Sequence, residues 1–237
     1  MTNMHPTAAS PNKHEISEQT LSREQLEELL SQTDSPHVFN QCDFSGADLA
    51  RLNLQSCSFI SCSFEQTSFY AANLSQSRFQ RCRAGRADFE AAEVVDAQFQ
   101  SCDLNNTTWR RARLASAAFK ACKLTGAHFD EVSTLGLTFE ECLLVSADLR
   151  NMSFRKMRLK QLDFSEADLS GCNFRETVFE GGSLRNAHLK LAHFDGADLR
   201  EADISGLKLL DARLFRGATI SHKQASDLLG ELGLLVA

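Results

Sequence analysis

Four residues have side chains suited to metal chemistry: His128, Asp148, Asp168 and His188, each twenty places after the last. If such positions stack, two carboxylates lie about 5 Å apart with an imidazole beyond each, and that donor set suits a divalent cation. Asp, however, recurs at this place in many neighbouring segments, where it bonds its own turn, so the four stand as candidates and no metal is assigned. Cys42, Cys62, Cys82, Cys102, Cys122 and Cys142 also recur at twenty, and Cys57 and Cys172 occupy related positions. Stacked thiols would sit near the lower limit of disulfide geometry, but side chains in register point the same way. With no CxxC pair and no secretion leader, the eight are expected to be reduced, buried and inert. The serines fall mostly at turn positions, and neither a Gly-x-Ser-x-Gly elbow nor a phosphate-binding glycine loop occurs. No catalytic residue and no cofactor are expected. Two basic groups, Arg78, Arg81, Arg83 and Arg86, and Arg155, Lys156, Arg158 and Lys160, have the chemistry to meet phosphates. Acidic residues interleave with them and the net charge is −6, so no direct nucleic-acid binding is expected.

These residues are positioned by one frame. From Phe39 to Leu214 every fifth residue is large and apolar, with a second inward residue, usually small, two places before it. Ala84, Val94, Trp109 and Thr134 are the exceptions in type. A period of five belongs to neither a helix nor a flat strand, and a repeat this long marks a stacked object. A second period lies inside the first: Phe39, Phe59, Phe79, Phe99, Phe119, Phe139 and Phe179 recur at twenty, with Leu159 in the gap. Four quintets therefore make one four-sided coil. Lys120, Glu140, Lys160, Glu180 and Arg200 alternate in sign at that spacing, as do Glu90, Arg110, Asp130 and Arg150, which predicts attraction between successive coils.

The quintets Gly46-Ala47-Asp48-Leu49, Ala147-Asp148-Leu149, Ala167-Asp168-Leu169, Ala197-Asp198-Leu199 and Ala202-Asp203-Ile204 resemble the Ala-(Asp/Asn)-Leu-x-x motif of pentapeptide-repeat proteins. The resemblance implies an all-β fold, a right-handed quadrilateral parallel β-solenoid of about nine coils, with short capping helices at both ends.

Residues 1–19 are polar and read as a flexible tail. Residues 20–38 hold a capping helix, with Ser22 and Gln25 as a capping box, Leu21 and Leu26 as a staple, and Asp34-Ser35-Pro36 as its stop. The solenoid is assigned to 39–217. Its weak spot is Val132-Ser133-Thr134-Leu135-Gly136-Leu137, where a distorted side is expected. Residues 218–237 form a second cap, with a box at Ser221 and Gln224 and Gly233 as the stop. Ala225, Leu228, Leu229 and Leu232 suffice to cover the last coil. Leu234, Leu235 and Val236 are left over, and a two-fold dimer through Leu228, Leu229, Leu232, Leu234, Leu235 and Val236 is expected.

The segment Gln224-Ala225 to Leu232-Gly233 is similar to the C-terminal helix of quinolone-resistance (Qnr-type) pentapeptide proteins, which joins two copies end to end. That resemblance implies a non-enzymatic, cytoplasmic bacterial rod that binds DNA gyrase or topoisomerase IV. The charge is poorly placed for a DNA mimic, because residues 39–217 balance to −1 while residues 1–38 hold six acids and two bases. The competing expectation is an interaction scaffold, adaptor or secreted effector. It would dock an unrelated protein through outward residues such as Ile60, Tyr70, Val95, Leu135, Leu143, Val145 and Val178. No apolar run is long enough for a membrane span.

Overall fold

The computed structural model describes residues 15–32, 36–207, 212–231 and 233–235. The chain enters through β1 (Glu15–Ser17) and α1 (Arg23–Ser31). It then winds through β2 (Val38–Asn40), β3 (Ser58–Ile60), β4 (Arg78–Gln80), β5 (Gln98–Gln100), β6 (Ala118–Lys120), β7 (Thr138–Glu140), β8 (Arg158–Lys160) and β9 (Val178–Glu180). Successive strands pair in parallel with the twenty-residue register, Phe39 on Phe59 through to Phe119 on Phe139. The other three sides are columns of single bridges, such as Asp43 on Ser63, Asp48 on Ser68 and Asn53 on Asn73. The result is the expected parallel β-solenoid, of about eight turns, with a helix toward each end.

Each quintet does the same three things. Its large residue points into the core, where Phe39, Phe59, Phe79, Phe99, Phe119 and Phe139 stack 4.7–5.3 Å apart. Trp109 lies flat on Phe89, and its indole N–H donates to Thr107 Oγ1 at 2.9 Å, so the buried ring leaves no donor unmet. The corner residue takes a left-handed conformation, as at Gln41, Arg51 and Ser56. That conformation is costly outside glycine, and the corner N–H offsets the cost by bonding the next coil, Gln41 to Ile60 O at 2.8 Å. An Asp or Asn accepts from the amide two residues on, Asp48 from Ala50 at 2.9 Å and Asp168 from Ser170 at 3.0 Å.

The ladder loses three successive upward bonds at one place. Leu114 and Ser116 donate to Ser133 and Leu135 one coil up, but Glu131, Thr134 and Gly136 donate to nothing among the described residues, and the amides of Ser153 and Arg158 donate to no described carbonyl in the coil below. The strands accordingly form a seven-stranded sheet, β1 to β7, and a separate pair, β8 and β9. Volume explains the break. The small columns read Ala92, Ala112, Val132, Met152 and Ala97, Ala117, Leu137, Met157, so two large residues meet on each of two adjacent columns. Leu162 is oversized too, yet Gly182 sits above it. A Cβ there would lie 2.1 Å from Leu162 O, and its φ is +82°. Thr134 adds to the fault by leaving the large position underfilled.

Three expectations need correction. The polar tail does not run to residue 19, because Glu15–Ser17 pairs on Val38–Asn40 with Ile16 opposite Phe39; residues 1–14 lie outside the described part. The frame slips by one residue in the last coil. Asp198 pairs with Thr219, and Phe215, not Leu214, stacks on Phe194 at 4.9 Å. The 3-10 turn Ala212–Phe215 falls within the offset stretch, and Leu209 lies outside the described residues. The solenoid has about eight turns, not nine.

Candidate interaction surfaces

The column His128, Asp148, Asp168, His188 exists, each residue bridged to the next. Its carboxylates are already engaged. Asp148 accepts from Arg150 Nη2 at 2.6 Å and Nε at 2.8 Å, and Arg150 Nε also lies 3.8 Å from Asp168. The hydrogen bonds from Arg150 hold the Asp148 carboxyl below its usual range. A guanidinium therefore stands where a cation would, and no group of metal ligands forms among the described residues.

All eight cysteines are free and buried. Along the ladder Cys42 Sγ lies 3.4 Å from Ile16 O, and each later thiol lies against the carbonyl of the phenylalanine one coil down, Cys62 Sγ 3.4 Å from Phe39 O and Cys82 Sγ 3.3 Å from Phe59 O. Outside the ladder, burial pushes Cys57 up to about 11 and Cys172 up to about 12. Such thiols are poor nucleophiles at neutral pH.

The alternating charge columns are half realised. Glu140 Oε1 accepts from Lys160 at 2.7 Å and Lys120 at 3.2 Å, one coil above and one below. Glu90 holds Arg110 at 3.1 Å and also Arg111. Farther along, arginine reach overrides the columns: Arg158 takes Glu180 from Lys160, and Arg150 and Arg200 turn to Asp148 and Asp198 on their own quintets.

The two ends are closed by side chains that bond the open backbone. Ser22 and Gln25 form the expected box on α1, and Leu21 and Leu26 are buried. Arg23 then donates to Asp48 O at 2.9 Å and Ala50 O at 3.1 Å. At the far end lies α2 (His222–Glu231), with its box at Ser221 and Gln224. Gln224 Nε2 donates to Leu199 O at 2.8 Å and Ala202 O at 2.7 Å. These two long-range caps were not visible in the pattern, since only a coil's own geometry places Asp48 or Ala202 under them. Gly233, at φ +80°, closes α2 with bonds from Gly233 to Gly230 O and from Leu234 to Leu229 O, a Schellman ending. Leu228 is buried, whereas Leu229 is 39%, Leu234 55% and Leu235 100% exposed. Leu232 and Val236 lie outside the described residues.

The arrangement defines a class: a parallel solenoid rod with paired charges on its described surface and an exposed apolar segment beside its C-terminal cap. The pentapeptide repeat region model matches residues 37–109, 52–129 and 112–189, and the pentapeptide repeats (8 copies) model matches 183–214. The chain belongs to the pentapeptide-repeat family. Among solved structures it is similar to a trypsin-treated variant of QnrB1, a plasmid-mediated fluoroquinolone resistance protein, with TM-score 0.73 and 23% identity over 84% of this chain and 100% of that one. Full-length QnrB1 is similar at TM-score 0.62 and 20% identity, over 94% and 98% of the two chains. At these identities the likeness is one of fold. No curated protein matches the sequence. No described helix is long and apolar enough to cross a membrane.

Proposed function

We propose that this chain is a non-enzymatic, cytoplasmic rod that dimerises through its C-terminal segment and binds a type II topoisomerase, DNA gyrase or topoisomerase IV, protecting it from inhibitors. The observation that carries the reading is the end of α2. Its helix is already terminated and its inner face already docked, yet Leu229, Leu234 and Leu235 remain exposed beyond it. Three such side chains buried per chain contribute about 1.5–3 kcal/mol each, enough to support association after its entropic cost. A two-fold lets each copy cover the other's tail. The fold shared with a fluoroquinolone resistance protein supports the partner.

Light scattering at tens of micromolar tests the dimer: twice the chain mass is expected, and Leu234→Ser with Leu235→Ser should return one chain mass with the solenoid intact. A gyrase supercoiling assay with and without a fluoroquinolone tests the partner. Rescue of supercoiling at micromolar protein is expected. A dimer that neither inhibits nor rescues the enzyme would give way to the scaffold reading.

A further inference from the structure

Within one coil, nine residues carry four arginines: Arg78-Phe79-Gln80-Arg81-Cys82-Arg83-Ala84-Gly85-Arg86. Phe79, Cys82 and Ala84 are buried, and all four arginines are exposed, Arg78 and Arg83 on two adjacent sides of the rod and Arg81 and Arg86 at the corners that follow them. Elsewhere guanidinium groups are used to hold coils together: Arg110 on Glu90, Arg113 on Glu93 and Arg175 on Asp195 each reach a carboxylate one coil away. The quartet does nothing of the kind. Among the described residues none of its side chains makes an ion pair or a hydrogen bond. Their stacked neighbours explain this. Arg78 has Ser58 below and Gln98 above, and Arg83 has Ser63 below and Asp103 above. Asp103 is taken up by its own turn, accepting from Asn105 at 3.2 Å. Glu65 lies against Gly85, 2.6 Å from where a Cβ would be, without pairing either flanking arginine. Asp43 feels Arg83 only as the weakest of its influences.

Four like charges on one turn repel each other, and no salt bridge among the described residues offsets that repulsion. We propose that this basic turn is a docking site for a short acidic segment, rich in Asp or Glu, of a protein partner. Guanidinium forks match carboxylates two bonds at a time. The cationic zone is one coil thick, about 5 Å along the rod. Above and below it the strand side is neutral, Ser58 and Ile60 on one edge and Gln98 and Gln100 on the other. On the remaining sides of the same coil come Asp88, Glu90, Glu93 and Asp96. A duplex has a long phosphate track and would run off the arginines onto these acids. A short acidic segment can end where the arginines end. The inference is independent of the topoisomerase reading.

The test is fluorescence anisotropy of a labelled hexaglutamate peptide titrated with the full-length protein at low salt, with a labelled 20-base-pair duplex in parallel. The substitution Arg78→Gln, Arg81→Gln, Arg83→Gln and Arg86→Gln together should weaken peptide binding at least tenfold. Arg155→Gln with Arg175→Gln, which removes two paired arginines, should weaken it less than twofold. Thermal melting of the quadruple variant should match or exceed the parent, which confirms folding. Equal losses in the two variants, or no peptide binding to the parent, would overturn the proposal. Duplex binding tighter than peptide binding, and lost in the quadruple variant, would assign the basic turn to nucleic acid instead.

Discussion

The coils from β2 to β7 and the junction above them share one sequence frame, but only the first group is stitched. In the closed coils Trp109, Arg111, Leu114 and Ser116 each bond a carbonyl one coil up; a coil later Phe129 does so, while Glu131, Thr134 and Gly136 do not. No residue is inserted between them. What changes is volume, from Ala on Ala to Val132 under Met152 and Leu137 under Met157. Spacing of five residues sets which side chains enter the core. Whether two coils come within hydrogen-bonding distance depends on the summed size of residues twenty apart, because the interior is packed to near crystal density.

The largest expected effect contrasts the two regions directly. Phe119 is buried in the closed stack between Phe99 and Phe139, and Phe119→Ala should cost ~3–5 kcal/mol in urea denaturation. The double change Leu137→Ala with Met157→Ala removes more volume but restores one of the two small columns of the closed coils. It should cost less than Phe119→Ala alone, with new amide-exchange protection at Thr134 and Gly136. A loss near the sum of two ordinary core truncations, with no new protection, would show that the junction is already well packed.

Next comes alkaline pH. Cys57 and Cys172 have folded pKa values raised by burial to about 11 and about 12. The folded form thus holds protons that the unfolded chain releases from about pH 8.5. Their contribution is complete below that pH and lost as pH rises toward the folded values, at roughly 1.4 kcal/mol per pH unit per thiol. Stability should fall steeply above pH 9, and Cys57→Ala or Cys172→Ala should flatten the fall. The two also sharpen the comparison. Cys57 lies in the closed coils, whereas Cys172 stands directly above Met152, so native-state thiol labelling should reach Cys172 first. Labelling of Cys57 first would place the weakest part of the rod elsewhere.

Much of this architecture is legible in the chain because each quintet states its own conformation. The inward phenylalanines, the turn aspartates and the boxes at Ser22 and Ser221 depend on residues at most a few places apart. The junction was half legible. Val132, Thr134 and Leu137 stand out from the pattern, but Met152 and Met157 look harmless until they are placed above residues of the same bulk. The one-residue slip in the last coil was hidden because Leu214 and Phe215 are adjacent and both apolar, so either fits the frame. β1 was hidden because Glu15-Ile16-Ser17 has one apolar residue in a polar stretch, and its strand character comes wholly from pairing on Val38–Asn40. The His and Asp column was legible as a column. The arginine that occupies it, Arg150, was assigned to a different partner, since a long side chain can choose among acids that a register cannot rank. The same limit hid the unpaired state of Arg78, Arg81, Arg83 and Arg86.

The smallest expected effect concerns the corner after β7, where the coils bond again beyond the opening. Glu141 N–H donates to Lys160 O at 2.9 Å, and Lys160 Nζ lies 2.7 Å from Glu140 and 2.9 Å from Glu141. Glu140 also holds Lys120 in the coil below. It therefore clamps the last strand of the closed sheet to the first strand of the separate pair. The bonds from Lys160 and Lys120 lower its pKa, so the clamp is present above the ordinary carboxylate range and fades as pH falls through the lowered value. Glu140→Lys would place three lysines in one column and turn two attractions into repulsions. These groups are exposed, and water and salt screen them. The loss should be well below that of Phe119→Ala and should shrink between 0.05 and roughly 1 M salt, where the screening length drops to about 3 Å. Exchange at Glu141 should rise more than exchange at Ala121, its counterpart one coil down, because the junction has fewer neighbouring bonds to share the load. Equal rises at the two amides would mean that the clamp serves the whole strand face, and that the junction is no weaker there than the coils beneath it.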